Sequence, residues 1–226
     1  MQTIADLHVH SKYSRATSPK MDVDGIFNWS KIKGINLVAT GDYTHPEYFK
    51  ELKQKLELDS NGFYRVKNVP NDSSLMPHAS PHFVPTAEIS CIYKKNDKCR
   101  RLHIVLITPT LEDVEKINTH LNKIGNVKSD GRPILGLDAK ELAKIVFSYS
   151  PNSLVIPAHA WTPWFAIFGS KSGFDTMEEC FEELTPKIYA IETGLSSDPP
   201  MNWRLSALDT LPLISNSDAH SPANMG

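Results

Sequence analysis

Asp6-Leu7-His8-Val9-His10-Ser11 follows an apolar strand start, and its reading decides how the rest of the chain is organised. Successive side chains of a strand point to opposite faces. His8 and His10, alternating with apolar Leu7 and Val9, therefore project the same way from a strand's carboxyl end. Two same-facing imidazoles form one edge of a metal site. Paired histidines are also ordinary on a solvated strand, so the motif needs partners. The far end of the chain offers them in Ser217-Asp218-Ala219-His220.

Outward from this strand, apolar runs alternate with amphipathic segments. Strands are expected at 3–7, 35–40, 83–92, 102–108, 154–157, 188–192 and 213–216, and helices at 22–33, 46–58, 111–124, 138–149, 177–184 and 201–208. Gly34 stops the first helix, and Thr44 with Pro46 starts the second. Such alternation predicts an α/β fold, a parallel barrel or sheet wrapped by helices. Residues 61–82 are polar and rich in Pro and Ser, an irregular excursion with room for a short strand at 63–66. The chain stops soon after its last strand with no helix to cover it, which predicts a truncated C-terminus.

The 226 residues, 40% hydrophobic and 22% charged, suit one globular domain spanning 1–226. A net charge of -2 gives no global field for nucleic acid, so a polyanion must be held by a local patch or by bound cations. Cys91, Cys99 and Cys180 are an odd set without CxxC spacing, which predicts reduced thiols rather than disulfides or a cysteine zinc knuckle. With no secretory leader and no apolar run near about 18 residues, the sequence predicts a cytoplasmic protein with no membrane partner.

In barrels and open α/β sheets, ligands gather beyond the carboxyl ends of the strands. There the chain places His8 and His10, then Asp42 and His45, then Glu88, His159, and finally Asp218 and His220. His103 heads the strand that returns from Glu88 across the charged stretch 94–101. Imidazole and carboxylate without thiolate suit Zn²⁺, with Mn²⁺ or Fe²⁺ as alternatives. More than four candidate ligands imply two or three ions, with Glu88 able to bridge a pair. A cluster with ions about 3.5–4 Å apart makes hydroxide at neutral pH and stabilises both oxygens of an in-line displacement at phosphorus. Asp218, Glu88 and His159 are the candidates for the catalytic core of such a phosphoester hydrolase.

Trp161, Trp164, Phe165 and Phe168 lead into Gly169-Ser170-Lys171-Ser172-Gly173. Aromatic faces beside a basic Gly/Ser loop suit a stacked base next to a held phosphate, although an aromatic run also serves core packing. Arg15, just past His10, and Lys171 are candidate phosphate contacts. The basic residues at 94–101 suit either a DNA backbone or a solvated hairpin end. Glu192, Asp198, Asn202 and Trp203 are candidates for the same rim, while His78, His82 and His120 read as non-ligands.

The ordered motifs Asp6 to Ser11, Gly41-Asp42, Glu88-Ile89-Ser90, His103 to Leu106, Pro157-Ala158-His159-Ala160 and Ser217 to His220 resemble those of the PHP (polymerase and histidinol phosphatase) superfamily. Its members are distorted (β/α)7 barrels with a trinuclear metal centre. The resemblance implies His8, His10, Glu88 and Asp218 at one ion, and Glu88, His103 and His159 at a second. His220 would hold a third with Asp42, His45 or both, since Gly41-Asp42-Tyr43-Thr44-His45 stands where many members read Thr-Asp-His. The stretches 10–16, 41–46, 158–165, 168–174 and 198–203 are further similar to the endonuclease Q family. That similarity implies a DNA repair nuclease cutting 5′ of deoxyuridine, deoxyinosine or abasic sites, in a family whose members continue into a zinc-binding and helical portion. Two other readings stand beside it: a phosphatase of small phosphate monoesters, and a non-catalytic metal-stabilised module that binds nucleic acid or protein.

Overall fold

The structure is a computed structural model that describes residues 3–69 and 80–226. It begins with β1 (Ala5–Asp6), α1 (Val23–Lys33), β2 (Leu37–Ala39), α2 (Pro46–Lys55), β3 (Leu56–Leu58), β4 (Tyr64–Val66) and β5 (His82–Val84). The middle comprises β6 (Thr86–Lys95), β7 (Lys98–Ile107), α3 (Leu111–Ile124), β8 (Ile134–Leu135), α4 (Ala139–Tyr149) and β9 (Leu154–Pro157). Short elements follow: α5 (Met177–Phe181), β10 (Ile191–Glu192), α6 (Pro199–Asn202) and β11 (Leu213–Ile214).

The helix ends follow from side-chain chemistry. The Asp22 carboxylate accepts from the Gly25 amide, Thr110 caps α3 and Asp138 caps α4, each satisfying an amide that has no partner within its helix. Gly34 closes α1 at φ 71°, a left-handed conformation that glycine adopts without Cβ strain. α3 buries Val114, Ile117 and Leu121, and α4 buries Leu142, Ala143 and Val146, the stripe spacing of a helix laid on a sheet.

Among the described residues the strands form three hydrogen-bonded sheets, ordered β1-β2-β5-β4-β3, β8-β6-β7-β9 and β10-β11, with no closed sheet. The expectation of a parallel scaffold holds for β1, β2 and β5, for β6 with β8, and for β10 with β11. It fails where β9 runs antiparallel to β7 and where β4 runs antiparallel to β3 and β5, while β6 and β7 form the hairpin expected around the charged stretch 94–101. β6 and β7 are joined only by Asn96 and Asp97, both at positive φ, a two-residue reversal that cannot make a parallel crossover.

Local boundaries also differ. The helix expected over 46–58 ends at Lys55, because Leu56 turns extended and residues 56–58 pair with β4. β8 was not foreseen. The late strands shrink to two residues each, and the helices expected at 177–184 and 201–208 finish as 3-10 turns. The expected excursion contains β4, while residues 70–79, including His78, lie outside the described residues.

Most of the core lies between the helices and the sheets. A second, smaller cluster joins Val84, Val105, Ile107, Ile156, Ala158 and Ala190 to Leu7, Leu37 and Ile214, so strands of all three sheets contribute to one apolar interior. Backbone bonds stitch the sheets together at its polar end: His10 donates to the Ala219 carbonyl and Ala160 to that of Glu192. No helix of the described residues is long and apolar enough to cross a membrane.

Candidate metal centre

The polar end of that interior collects residues from both ends and the middle of the chain. His8 and His10 stand just beyond β1, and the Val9 bridge to Ala219 brings Asp218 and His220 beside them. In the β6/β7 ladder Glu88 pairs with Val105, an interior residue, and His103 stands two residues from Val105 on the same face. His159 follows β9, held where a Cβ on Gly194 (φ 63°) would come within 2.5 Å of its own Cβ.

His10 Nε2 is 3.0 Å from Asp218 Oδ1 and 3.4 Å from Glu88 Oε2. His8 Nε2 is 3.6 Å from Asp218 Oδ1 and 3.7 Å from Glu88 Oε1. On the other side of Glu88, Oε1 is 3.0 Å from His103 Nδ1 and 3.4 Å from His159 Nε2. Three groups of ligand atoms result: His8, His10 and Glu88; Glu88, His103 and His159; and His10, Asp218 and His220. His8 Nε2, His10 Nε2, Glu88 Oε1 and Asp218 Oδ1 are buried yet make no hydrogen bond of good geometry. Buried polar atoms without partners are costly, and four of them turned toward one another fit divalent cations.

The outer nitrogens are tied back. Glu192 accepts from His8 Nδ1 at 3.0 Å, Asp42 from His10 Nδ1 at 3.1 Å, and Thr162 Oγ1 is 3.0 Å from His159 Nδ1. Such partners fix the ring and leave Nε2 free to bind a metal. Burial alone would depress the His8 pKa, but Glu192 and Glu88 outweigh it and push it up to about 10. The opposing pair of effects holds Glu88 well below the usual carboxylate range: burial raises it, and His103 and His8 lower it further. The carboxylates thus create a strong cation site. His159, Asp218 and Asp42 all sit at positive φ, strain that the surrounding bonds hold in place.

The structure sorts the remaining candidates. Asp42 does not join the three groups: its carboxylate is taken up by the Ser11 amide and hydroxyl, Ser14 Oγ and His10. His45 stacks on Tyr13 at 4.2 Å and also stands outside them. Arg15 is 86% exposed, its Nε 3.3 Å from Asp130. Trp161 does not line the site; its indole donates to Asn202 and packs on Phe168. Trp164 is exposed beside candidate metal ligands, in a pocket with His103, His159 and Asp218. Lys171 lines a neighbouring groove. Of the basic hairpin, Lys95 pairs with Glu182 and Arg100 donates to Gly173, so those two are structural.

The sequence reading missed Ser14 and Thr162 as backing groups, and Arg132, whose Nη1 is 3.0 Å from Glu88 Oε2. Its one signal is Gly131-Arg132-Pro133 immediately before β8, a strand the reading did not find.

No family profile matches the chain. A structure of endonuclease Q in complex with a 27-mer duplex substrate bearing an abasic lesion superposes with TM-score 0.80 at 34% identity, covering 96% of this chain and 49% of that one. The lesion-specific endonuclease PfuEndoQ of Pyrococcus furiosus gives TM-score 0.81 at 34% identity, with 98% and 49% covered. This chain is similar to endonuclease Q over nearly its whole length. An uncharacterised protein of Methanocaldococcus jannaschii, MJ0043, is 32% identical over 159 residues, 70% of this chain and 16% of its own length. The chain spans about half the length of these two endonuclease Q structures.

Proposed function

We propose that this chain is a divalent-metal phosphodiesterase of damaged DNA, cutting 5′ of deoxyuridine, deoxyinosine or an abasic site. The observation that carries the proposal is the convergence of His8, His10, Glu88 and Asp218, each with an unpartnered buried atom, in a fold shared with a lesion-specific endonuclease. Two or three ions would be held, Zn²⁺ first with Mn²⁺ or Fe²⁺ as alternatives: by His8, His10, Glu88 and Asp218, by Glu88, His103 and His159, and by His220 with His10 and Asp218. When bound, such ions neutralise charge on a phosphodiester and acidify water near neutral pH. The chain's own part is to fix the imidazoles through Glu192, Asp42 and Thr162 and to keep the apolar interior beneath them dry. We read the three sheets as sectors of a distorted seven-stranded barrel around that interior.

A polynucleotide is favoured over a small monoester by the surface beside the centre. A groove of about 510 Å³ is lined by Lys98, Arg101, Lys171 and Trp164, and Trp164 also walls the pocket of about 460 Å³ lined by His103, His159 and Asp218. The Arg101 guanidinium lies 4.9 Å from the Trp164 ring. Cations along a groove that ends on an exposed aromatic suit a strand held by its phosphates with a base stacked near the cut.

The test is to load metal-free protein with Zn²⁺, Mn²⁺ or Fe²⁺ and offer oligonucleotides containing deoxyuridine, deoxyinosine, an abasic site or no lesion, beside p-nitrophenyl phosphate. Metal-dependent nicking 5′ of lesions is expected. Hydrolysis of the monoester alone would point to the phosphatase, and binding without hydrolysis to the non-catalytic module.

A further inference from the structure

We propose that Arg132 is a catalytic residue: a guanidinium fixed at the metal centre that binds the phosphoryl oxygens of the substrate and stabilises the charge they gain. The proposal rests on the phosphodiesterase reading and adds a group that is not among the metal ligands.

The fold delivers Arg132 to Glu88. β8 pairs in parallel with β6, the strand carrying Glu88, and the Ser90 amide donates to the Pro133 carbonyl. Arg132, just before Pro133, therefore enters alongside Glu88, with Nη1 3.0 Å from Oε2. The loop that carries it is pinned. Asp130 Oδ1 accepts from the Arg132 amide at 3.0 Å, and the Gly131 amide donates to the Tyr13 carbonyl at 3.0 Å. Gly131 is packed so closely that a Cβ there would strike Asp42 and Ser14, the backing of His10. One strut thus fixes both the imidazole of His10 and the approach of Arg132.

Charge balance shows what the guanidinium is for. The ligand groups contain two carboxylates, Glu88 and Asp218, and otherwise imidazoles. Two divalent ions would already balance those carboxylates together with Asp42 and Glu192 behind the imidazoles. A further cation fixed 3.0 Å from Glu88 adds repulsion unless an anion joins the centre. The anion that fits the reading is a phosphodiester, whose non-bridging oxygens gain negative charge on the way to displacement. Arg132 is suited to it: the side chain is 27% exposed, and its one side-chain bond among the described residues is the pairing with Glu88. A guanidinium has five N–H donors in a planar fork, so most remain for two oxygens of one phosphoryl group. Positioned donors of this kind act where charge develops.

The experiment compares wild type, Arg132→Ala and Arg132→Lys, each loaded with metal. Measured are bound metal by elemental analysis, the melting midpoint, inorganic phosphate affinity by calorimetry, and turnover of bis(p-nitrophenyl) phosphate and a deoxyuridine oligonucleotide. Arg132→Ala is expected to keep its ions and midpoint, to bind phosphate ~10-fold more weakly, and to lose ~10²–10³-fold in turnover of both substrates, as expected for one lost oxyanion donor. Guanidinium chloride should restore part of that turnover, and Arg132→Lys should fall in between. Loss of metal from Arg132→Ala would overturn the proposal in favour of a counter-ion to Glu88, as would unchanged phosphate affinity. If the wild type hydrolyses neither diester, the phosphodiesterase reading fails, and the phosphate titrations still decide the role of Arg132.

Discussion

In the metal centre His8, His10 and His159 are each tied by the ring nitrogen that faces away from the ligand cluster, and strained backbone at His159 and Asp218 is held by what surrounds it. In the groove next door Lys98 and Lys171 stand exposed, and Trp164 is 48% exposed with Arg101 over one face. The two regions meet at Trp164. Under the proposed function their difference reflects what each would hold. Metal ligation tolerates errors of a few tenths of an ångström, so it is built from buried, doubly anchored side chains. A polynucleotide of variable sequence would be held by long-range charge and stacking, which exposed cations and one flat ring can supply.

Substitutions should separate the two regions. The largest effect is expected from Asp218→Ala, which removes a carboxylate shared by His8 and His10. Turnover of every phosphoester should vanish, well beyond the ~10–100-fold that an outer partner costs, while the circular dichroism spectrum stays that of a folded chain. Activity that survives with added Zn²⁺ or Mn²⁺ would remove Asp218 from the centre. Glu192→Gln comes next. It keeps the shape but weakens the hold on His8 Nδ1, and a competition assay with a chelating dye should show metal affinity down ~10–100-fold. No change would mean that Glu192 merely packs beneath the ring.

The two tryptophans then test the boundary between the regions. Trp164→Ala should cost about 1–3 kcal/mol in kcat/KM on a lesion-bearing oligonucleotide, as lost base stacking does, and leave bis(p-nitrophenyl) phosphate hydrolysis within twofold, taken as about the scatter of such rate comparisons. Trp161→Ala should instead lower stability by about 2 kcal/mol, less than a fully buried Trp loses, because its ring is packed on Phe168 and bonded to Asn202. The opposite pattern would place the substrate on Trp161. Lys171→Ala should be the mildest: binding to lesion and undamaged DNA weakens alike, and the slope of log affinity against log salt falls by about 1. A lesion-dependent effect would make Lys171 part of base recognition.

Much of the convergence was legible because the candidate ligands sit at strand ends, where alternation and order along the chain show which way side chains point. His8 and His10 could be paired from spacing alone, and the hairpin returning His103 beside Glu88 followed from two apolar runs around a charged stretch. Asp42 was harder. Its type and place match a ligand, yet Ser11 and Ser14, distant in sequence from it, occupy its oxygens and turn it into the support of His10. Trp161 and Trp164, three residues apart, carry the same letter but stand in different surroundings, because the local turn packs one indole on Phe168 and exposes the other. Arg132 was hidden because a two-residue strand has no periodicity to read, and without β8 nothing links residue 132 to residue 88. The antiparallel placement of β9 against β7 was missed for a related reason: apolar runs predict strands but not the direction in which distant strands pair.

The central claim is that His8, His10, Glu88, His103, His159 and Asp218 form one metal cluster bridged by Glu88. It is tested most directly by anomalous X-ray scattering from crystals of metal-loaded protein, collected on both sides of the absorption edge of each ion supplied. At least two anomalous peaks are expected flanking the Glu88 carboxylate, one within about 2.0–2.3 Å of ligand atoms of His8, His10 and Asp218 and one at that distance from His103 and His159. Metal-replete crystals in which His8 and Asp218 share no ion, or in which Glu88 touches none, would contradict it.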